Sequence, residues 1–66
     1  MNGSEMKRAR AVLGLTQNAL ATQLDLSVFT IQHYEQERNK IPRTVEYAIL
    51  HLLNISGQKP GKDSNG

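Results

Sequence analysis

Apolar positions recur at helical spacing in two neighbouring stretches at the centre of the chain, residues 17–24 and 28–36. Only residues 25–27 separate the two patterns, so the helices that they predict must cross steeply, as in a helix-turn-helix unit. The small side chain of Ala21 is expected where the two helices touch. The positions expected to face inward are Leu20, Ala21, Leu24, Ile31, Tyr34 and Glu35.

Two further helical patterns flank this centre. The first is predicted to begin with Ser4 as its N-cap, to run to about Val12, and to end at Gly14, which tolerates a left-handed backbone. The fourth is predicted to carry Pro42 in its first turn, where a missing N–H is harmless. Their inward positions are Met6, Ala9 and Leu13 in the first helix, and Val45, Ala48, Ile49 and Leu52 in the fourth.

Polar residues mark the turns. Thr16 and Ser27 are predicted to cap the second and third helices, because their hydroxyl groups can accept backbone N–H groups. Asp25 falls in the turn between them, where a left-handed residue is often needed and where Asp is better tolerated than most residues. We expect Leu26 to be a buried anchor in that turn, and residues 1–3 to be loose.

These patterns predict an all-α fold of four helices within residues 1–56, followed by a disordered tail over residues 57–66. The tail reads GQKPGKDSNG and holds no apolar residue, so it cannot contribute to a packed core. A chain of 66 residues has a small core, and without cysteine it has no disulfide or zinc–thiolate site to stabilise it. Stability must therefore come from efficient helix packing or from dimerisation.

Charge and composition narrow the classes of function. Eight Lys and Arg against six Asp and Glu give a net charge of +2, which permits a nucleic-acid partner. No apolar run is long enough to cross a membrane or to act as a signal peptide, so we expect a cytoplasmic location. No nucleophile–base pair or glycine-rich phosphate loop occurs, and His33 and His51 stand apart from carboxylate clusters. We therefore expect no enzyme activity and no metal, cofactor or small-molecule ligand.

The outward face of the third helix mixes apolar and polar side chains. An exposed helix fits the major groove of duplex DNA, and residues near its N-terminus reach base edges. Gln32 can bond adenine at two positions and His33 can donate to guanine, whereas Val28 and Phe29 can contact thymine methyl groups. The alternative is that these two apolar residues belong to the core or to a protein interface. The predicted base-reading residues are Ser27, Val28, Phe29, Thr30, Gln32 and His33.

The central stretch resembles the helix-turn-helix of the phage repressor and Cro family, also known as the XRE class. The resemblance covers about residues 6–53 and implies a lambda-repressor-like domain that binds DNA. It rests on the spacing of apolar positions, on a Thr-Gln pair at the start of the second helix, and on a proline at the start of the fourth. The matching residues are Leu13, Gly14, Leu15, Thr16, Gln17, Leu20, Ala21, Leu24, Leu26, Ser27, Ile31, Tyr34, Glu35, Lys40, Pro42 and Arg43.

The resemblance also implies contacts with the phosphate backbone. Gln17 is similar to a family residue that bonds a phosphate and braces the recognition helix. Lys40 and Arg43 match the segment that grips the backbone, and we add the neighbouring Arg38 to this set. The alternative for these three basic residues is an ordinary solvated loop.

A buried salt bridge is the other implied feature, because Arg10 and Glu35 match a family pair that joins the first and third helices. Both residues also project from otherwise apolar faces, where a charge needs a partner. The alternative is two separately solvated side chains.

A second apolar stripe on the fourth helix consists of Tyr47, Leu50 and Leu53. It exceeds what a small core needs, so it either wraps the edge of the core or meets a second copy of the chain. The chain turns to Gly and Ser after Ile55, so the fifth helix that usually forms the family's dimer contact is not expected. The stripe is therefore the expected dimer interface.

We predict a homodimeric transcriptional repressor of the small phage autorepressor type, which reads an inverted repeat in double-stranded DNA with its third helix. Base preference cannot be inferred, since Val28 and Phe29 stand where well-described repressors have polar reading residues. Two other interpretations also fit the sequence. One is an antitoxin-like protein that also holds a partner, and the other is a protein-interaction module that uses Phe29 and the fourth-helix stripe.

Overall fold

The computed structural model describes residues 1–57, and within them it contains four α-helices and no strand. This confirms the predicted all-α class. The predicted tail, residues 57–66, lies outside the described residues except for Gly57, which forms part of the turn after the last helix. The helices are α1 (Gly3–Leu13), α2 (Gln17–Leu24), α3 (Val28–Glu35) and α4 (Arg43–Ile55).

One small core holds the four helices together, and each of its members occupies a position that was predicted to face inward. α2 and α3 pack against each other across a three-residue turn, and α1 contacts both α3 and α4. Leu26, predicted as a buried anchor of the turn, is half-buried and packs against the core edge. The buried core residues are Met6, Ala9, Leu20, Ala21, Ile31, Tyr34 and Ile49.

α1 begins two residues earlier than predicted, because Asn2 and not Ser4 is its N-cap. The Oδ1 atom of Asn2 accepts the N–H of Glu5 at 2.8 Å, and Oε1 of Glu5 accepts the N–H of Asn2 at 2.9 Å. This reciprocal pair is a capping box, which satisfies two N–H groups where a lone Ser4 cap would satisfy one. The expectation that residues 1–3 are loose is therefore wrong.

The other three helices begin close to their predicted positions. Thr16 and Ser27 cap α2 and α3, since their hydroxyl oxygens accept backbone N–H groups at 3.0 and 3.2 Å. Pro42 precedes α4 as its N-cap and does not lie within the first turn, and its side chain forms no capping hydrogen bond. The N–H groups at the start of α4 are therefore left without a side-chain acceptor, unlike those of the other helices.

Left-handed residues end α1, α2 and α3. Gly14 and Asp25 adopt this conformation as predicted, with φ of 71° and 58°, whereas Glu37 at 60° was not predicted. After α3, two backbone N–H groups return to carbonyl groups of the last helical turn at 3.1 and 2.9 Å, a Schellman arrangement. A left-handed non-glycine residue costs about 1–2 kcal/mol. Contacts with neighbouring residues must therefore stabilise the left-handed backbone of Glu37.

The first turn of α1 supplies those contacts, because it lies directly on the end of α3. The N–H of Gly3 donates to Oε2 of Glu37 at 3.2 Å. A Cβ atom added to Gly3 would lie 2.6 Å from the carbonyl oxygen of Glu35 and 2.7 Å from that of Tyr34. The two helices therefore meet backbone to backbone at a position that accepts only glycine.

Candidate nucleic-acid interface

α3 has one buried side and one exposed side. Ile31, Tyr34 and Glu35 are buried on the inner side. Phe29, His33 and Gln36 are exposed and follow one another at positions i, i+4 and i+7, which places them on one stripe of the helix. Gln36 was not among the predicted base-reading residues.

A polar network holds the inner side of α3. The carboxylate of Glu35, of which only 1% is exposed, accepts Nε of Arg10 at 2.7 Å and Nη2 at 3.1 Å. The same carboxylate accepts Nε2 of Gln17 at 3.0 Å, and Nη1 of Arg10 donates to the carbonyl oxygen of Leu15 at 3.2 Å. The predicted salt bridge between the first and third helices is confirmed. The carboxylate of Glu35 thus joins α3 to α1 by two parallel hydrogen bonds from Arg10, and to α2 by a third from Gln17.

The network continues to the outward side through Gln17. Its Oε1 atom accepts Nε2 of Gln32 at 3.4 Å, so one amide links the buried carboxylate to a predicted base-reading residue. The bracing role that the resemblance implied for Gln17 is confirmed, whereas its contact with phosphate stays a prediction. Gln32 keeps its carbonyl oxygen and its second N–H for a ligand.

The predicted base-reading residues at the start of α3 separate into three groups. Ser27 and Thr30 serve the helix start, since their hydroxyl groups lie 3.0 Å apart and Ser27 also accepts the N–H of Thr30. Val28 is half-buried and packs against the core, so the alternative interpretation applies to it. Phe29 is 67% exposed, which leaves its ring outside the core.

A basic segment follows α3. Arg38, Lys40 and Arg43 are all exposed, and none of them forms an ion pair within residues 1–57. At the start of α4, the N–H groups of Arg43 and Thr44 have no hydrogen-bond partner among the described residues. Free N–H groups at a helix N-terminus favour an anion such as a phosphate.

The apolar stripe of α4 is only partly exposed. Tyr47 and Leu50 are 59% and 46% exposed, but Leu53 is half-buried and packs against the core. Leu50 and Leu53 line a groove of about 410 Å³ between α1 and α4. From α1 this groove receives Val12, which is 48% exposed and which the sequence did not single out. We call this surface the α1/α4 groove.

Charged residues of both signs surround the α1/α4 groove. Arg8 lies on its α1 side together with Glu5, and Glu46 lies on its α4 side. Glu46 also accepts a hydrogen bond from the N-terminal ammonium group of Met1, at 3.3 Å. The groove therefore has an apolar floor and a rim on which acidic and basic groups stand near each other.

Other kinds of site find no support within residues 1–57. No cluster of three or more His, Asp or Glu side chains there could hold a metal ion, and both histidines are exposed. None of α1 to α4 has the length and apolar character needed to cross a membrane. Comparisons with protein-family models, with curated proteins and with solved structures gave no match for this chain.

Proposed function

We propose that this chain is a regulator of transcription that binds a specific sequence of duplex DNA as a homodimer and represses, in the simplest case, its own operon. The observation that carries the proposal is the outward side of α3, where Phe29, Gln32 and His33 project from a helix that is firmly held on its other side. A helix presented in this way fits the major groove. The proposal extends the resemblance to the phage repressor and Cro family, and it requires a cytoplasmic location.

The polar network behind α3 supports this role. A helix of eight residues is not stable alone in water, so its position depends on what it packs against. Glu35 fixes α3 to Arg10 of α1 and to Gln17 of α2, and Gln17 in turn lies 3.4 Å from the amide nitrogen of Gln32. Contacts with base edges depend on sub-ångström placement, which a preorganised helix supplies.

The basic segment after α3 would contact the phosphate backbone. Arg38, Lys40 and Arg43 provide three positive charges per protomer that have no ion-pair partner among residues 1–57. The N–H groups at the start of α4, which have no acceptor there either, can bind a further phosphate oxygen. Three contacts per protomer give about six per dimer, so the slope of log affinity against log salt should be roughly −5. Affinity should then fall on the order of 10³-fold between 50 and 200 mM salt.

The α1/α4 groove is the proposed dimer interface. Its apolar floor would be covered by the same surface of a second copy, as two-fold symmetry requires. In such an arrangement Arg8 of one protomer can approach Glu5 or Glu46 of the other, so the mixed charges of the rim complement themselves. Leu53 contributes less than predicted, since it is already half-buried, and Val12 takes its place.

The decisive experiment is selection of bound duplexes from a random DNA pool, followed by measurement of the salt dependence of the best binder. We expect an enriched inverted repeat with half-sites about 34–36 Å apart, which is one turn of B-DNA. Replacing Gln32 and His33 together by alanine should abolish the enrichment, because base contacts of this kind contribute about 1–3 kcal/mol each. A pool without enrichment would contradict the proposal.

A second candidate function is a protein-interaction module. The exposed rings of Phe29 and Tyr47 favour it, since large apolar side chains with this exposure often mark contact sites. An antitoxin-like protein would combine both activities. The double substitution of Gln32 and His33 separates the classes, because it removes polar base contacts and leaves an apolar protein interface almost unchanged.

Substitution of Arg43 by alanine is expected to weaken binding to all DNA sequences alike. A phosphate contact carries no base information, so affinity should fall while the order of preferred sequences stays the same. The slope of log affinity against log salt should become less steep by about two units per dimer. Lys7→Ala removes an equal charge from the exposed side of α1 and should change neither quantity. A changed base preference would show that Arg43 reads bases.

Substitution of Leu50 by glutamate is expected to dissociate the dimer, because it would bury two like charges in one small apolar interface. Sedimentation or light scattering should then report the mass of a single chain. Ile55→Glu is the matched control, since Ile55 is 65% exposed on the same helix and does not line the α1/α4 groove. If the two variants have the same mass as the unaltered protein, the dimer uses another surface.

A further inference from the structure

We infer that Phe29 makes DNA recognition by this protein depend on the C5-methyl group of a pyrimidine, as found in thymine and in 5-methylcytosine. The inference rests on the proposed function and deepens it, because it names the chemical group that α3 reads. The basis of the inference is that most other side chains at the start of α3 already make contacts within the domain.

Most polar groups near the start of α3 are occupied. The hydroxyl groups of Ser27 and Thr30 are paired with each other and with the helix start. Gln32 uses one N–H to bond Gln17. Val28 belongs to the core edge. The phenyl ring of Phe29 is therefore the one large side chain in the first turn of α3 that is both exposed and uncommitted.

The chemistry of the major groove determines what such a ring can recognise. Each base edge there presents hydrogen-bond donors and acceptors, and the one apolar group is the methyl at C5 of thymine. A phenyl ring placed against a donor or acceptor would remove water from it without offering a hydrogen bond, which is unfavourable. A ring placed against a methyl buries apolar surface from both partners. Phe29 therefore selects a methyl by attraction and disfavours unmethylated edges by desolvation.

Uracil is the sharpest probe, because it differs from thymine only by this methyl and keeps every hydrogen-bonding group. Each thymine of the selected operator is replaced in turn by deoxyuridine. At one position per half-site we expect affinity to fall about fourfold, the effect of removing one buried CH₂-sized group, and about 15-fold when both half-sites are changed. At the same position, 5-methylcytosine should bind more tightly than cytosine by a similar factor.

Phe29→Ala should bind the thymine and uracil operators equally well, and its fold should persist because the ring lies outside the core. Ile55→Ala is the matched control: its side chain is similarly exposed, at 65%, but lies on α4, so the preference for thymine should remain. Equal affinity of the unaltered protein for both operators would overturn the inference and leave sequence-specific binding intact. A thymine preference that survives in Phe29→Ala would overturn the role of Phe29. Absence of any enriched sequence would overturn the proposed function and the inference together.

Discussion

Replacement of Arg10 by methionine is expected to leave the domain largely unfolded at 25 °C. The change would leave the carboxylate of Glu35, which is 1% exposed, with the amide of Gln17 as its remaining side-chain donor. Removing one partner of a buried ion pair costs about 3–5 kcal/mol. A core of this size supplies about 3–5 kcal/mol in total, so the loss is comparable to the whole stability. Circular dichroism during urea and thermal unfolding measures the effect.

The control for this prediction removes both charges. Arg10→Met combined with Glu35→Met replaces the ion pair by apolar groups of similar volume, and such replacements are often neutral or stabilising. The double variant should therefore recover most of the lost free energy of unfolding, and the two single variants complete the thermodynamic cycle. A loss below about 1 kcal/mol in Arg10→Met would contradict the prediction, because that is what an exposed ion pair contributes.

Replacement of Gly3 by alanine is expected to lower the free energy of unfolding by about 1–3 kcal/mol, as overpacking does in general. Two effects oppose each other here. Helix propensity favours alanine over glycine by about 1 kcal/mol. The new Cβ atom, however, would lie 2.6 and 2.7 Å from two carbonyl oxygens of α3, and backbone atoms cannot move aside as a flexible side chain can. We expect the steric effect to prevail. Urea unfolding measures the sign of the change in the free energy of unfolding.

Ser4→Ala provides the matched comparison, because Ser4 occupies the next position of α1 and is exposed. Here propensity acts alone, so the free energy of unfolding should rise by about 0.5 kcal/mol or less. Opposite signs at neighbouring positions would establish the backbone contact between α1 and α3. If Gly3→Ala proves as stable as Ser4→Ala, the two helices do not meet as closely as described.

The features that sequence analysis predicted correctly are those governed by local chemistry. Thr16 and Ser27 cap their helices because a hydroxyl group one residue before an apolar pattern has few other roles. Asp25 and Gly14 end helices because few residues tolerate a left-handed backbone. The pairing of Arg10 with Glu35 is the exception, since it joins two distant helices. It was predicted from the family resemblance and from the rule that a charge on an apolar face needs a partner.

Two features were missed for different reasons. Asn2 and Ser4 are both good N-caps, and the spacing of Asn2 and Glu5 is a local capping-box pattern that the sequence could have indicated. The left-handed Glu37 depends on a contact between distant segments, since its carboxylate accepts the N–H of Gly3. Val28 is half-buried at the core edge, which the sequence could not indicate because periodicity does not determine which side of a two-turn helix faces a neighbour packed at a steep angle. Its contact with bases stays a prediction.

The division of α3 into a held side and a free side has a consequence for evolution. Residues that fix the helix, such as Glu35, lie inward, and Phe29, His33 and Gln36 lie outward without partners among residues 1–57. Descendants of this protein could therefore acquire a new target sequence by changes at the outward positions without losing the fold. Gln32 is the exception, because it belongs to both sets through its bond with Gln17. A lineage that changes its target DNA sequence should alter Gln17 and Gln32 together.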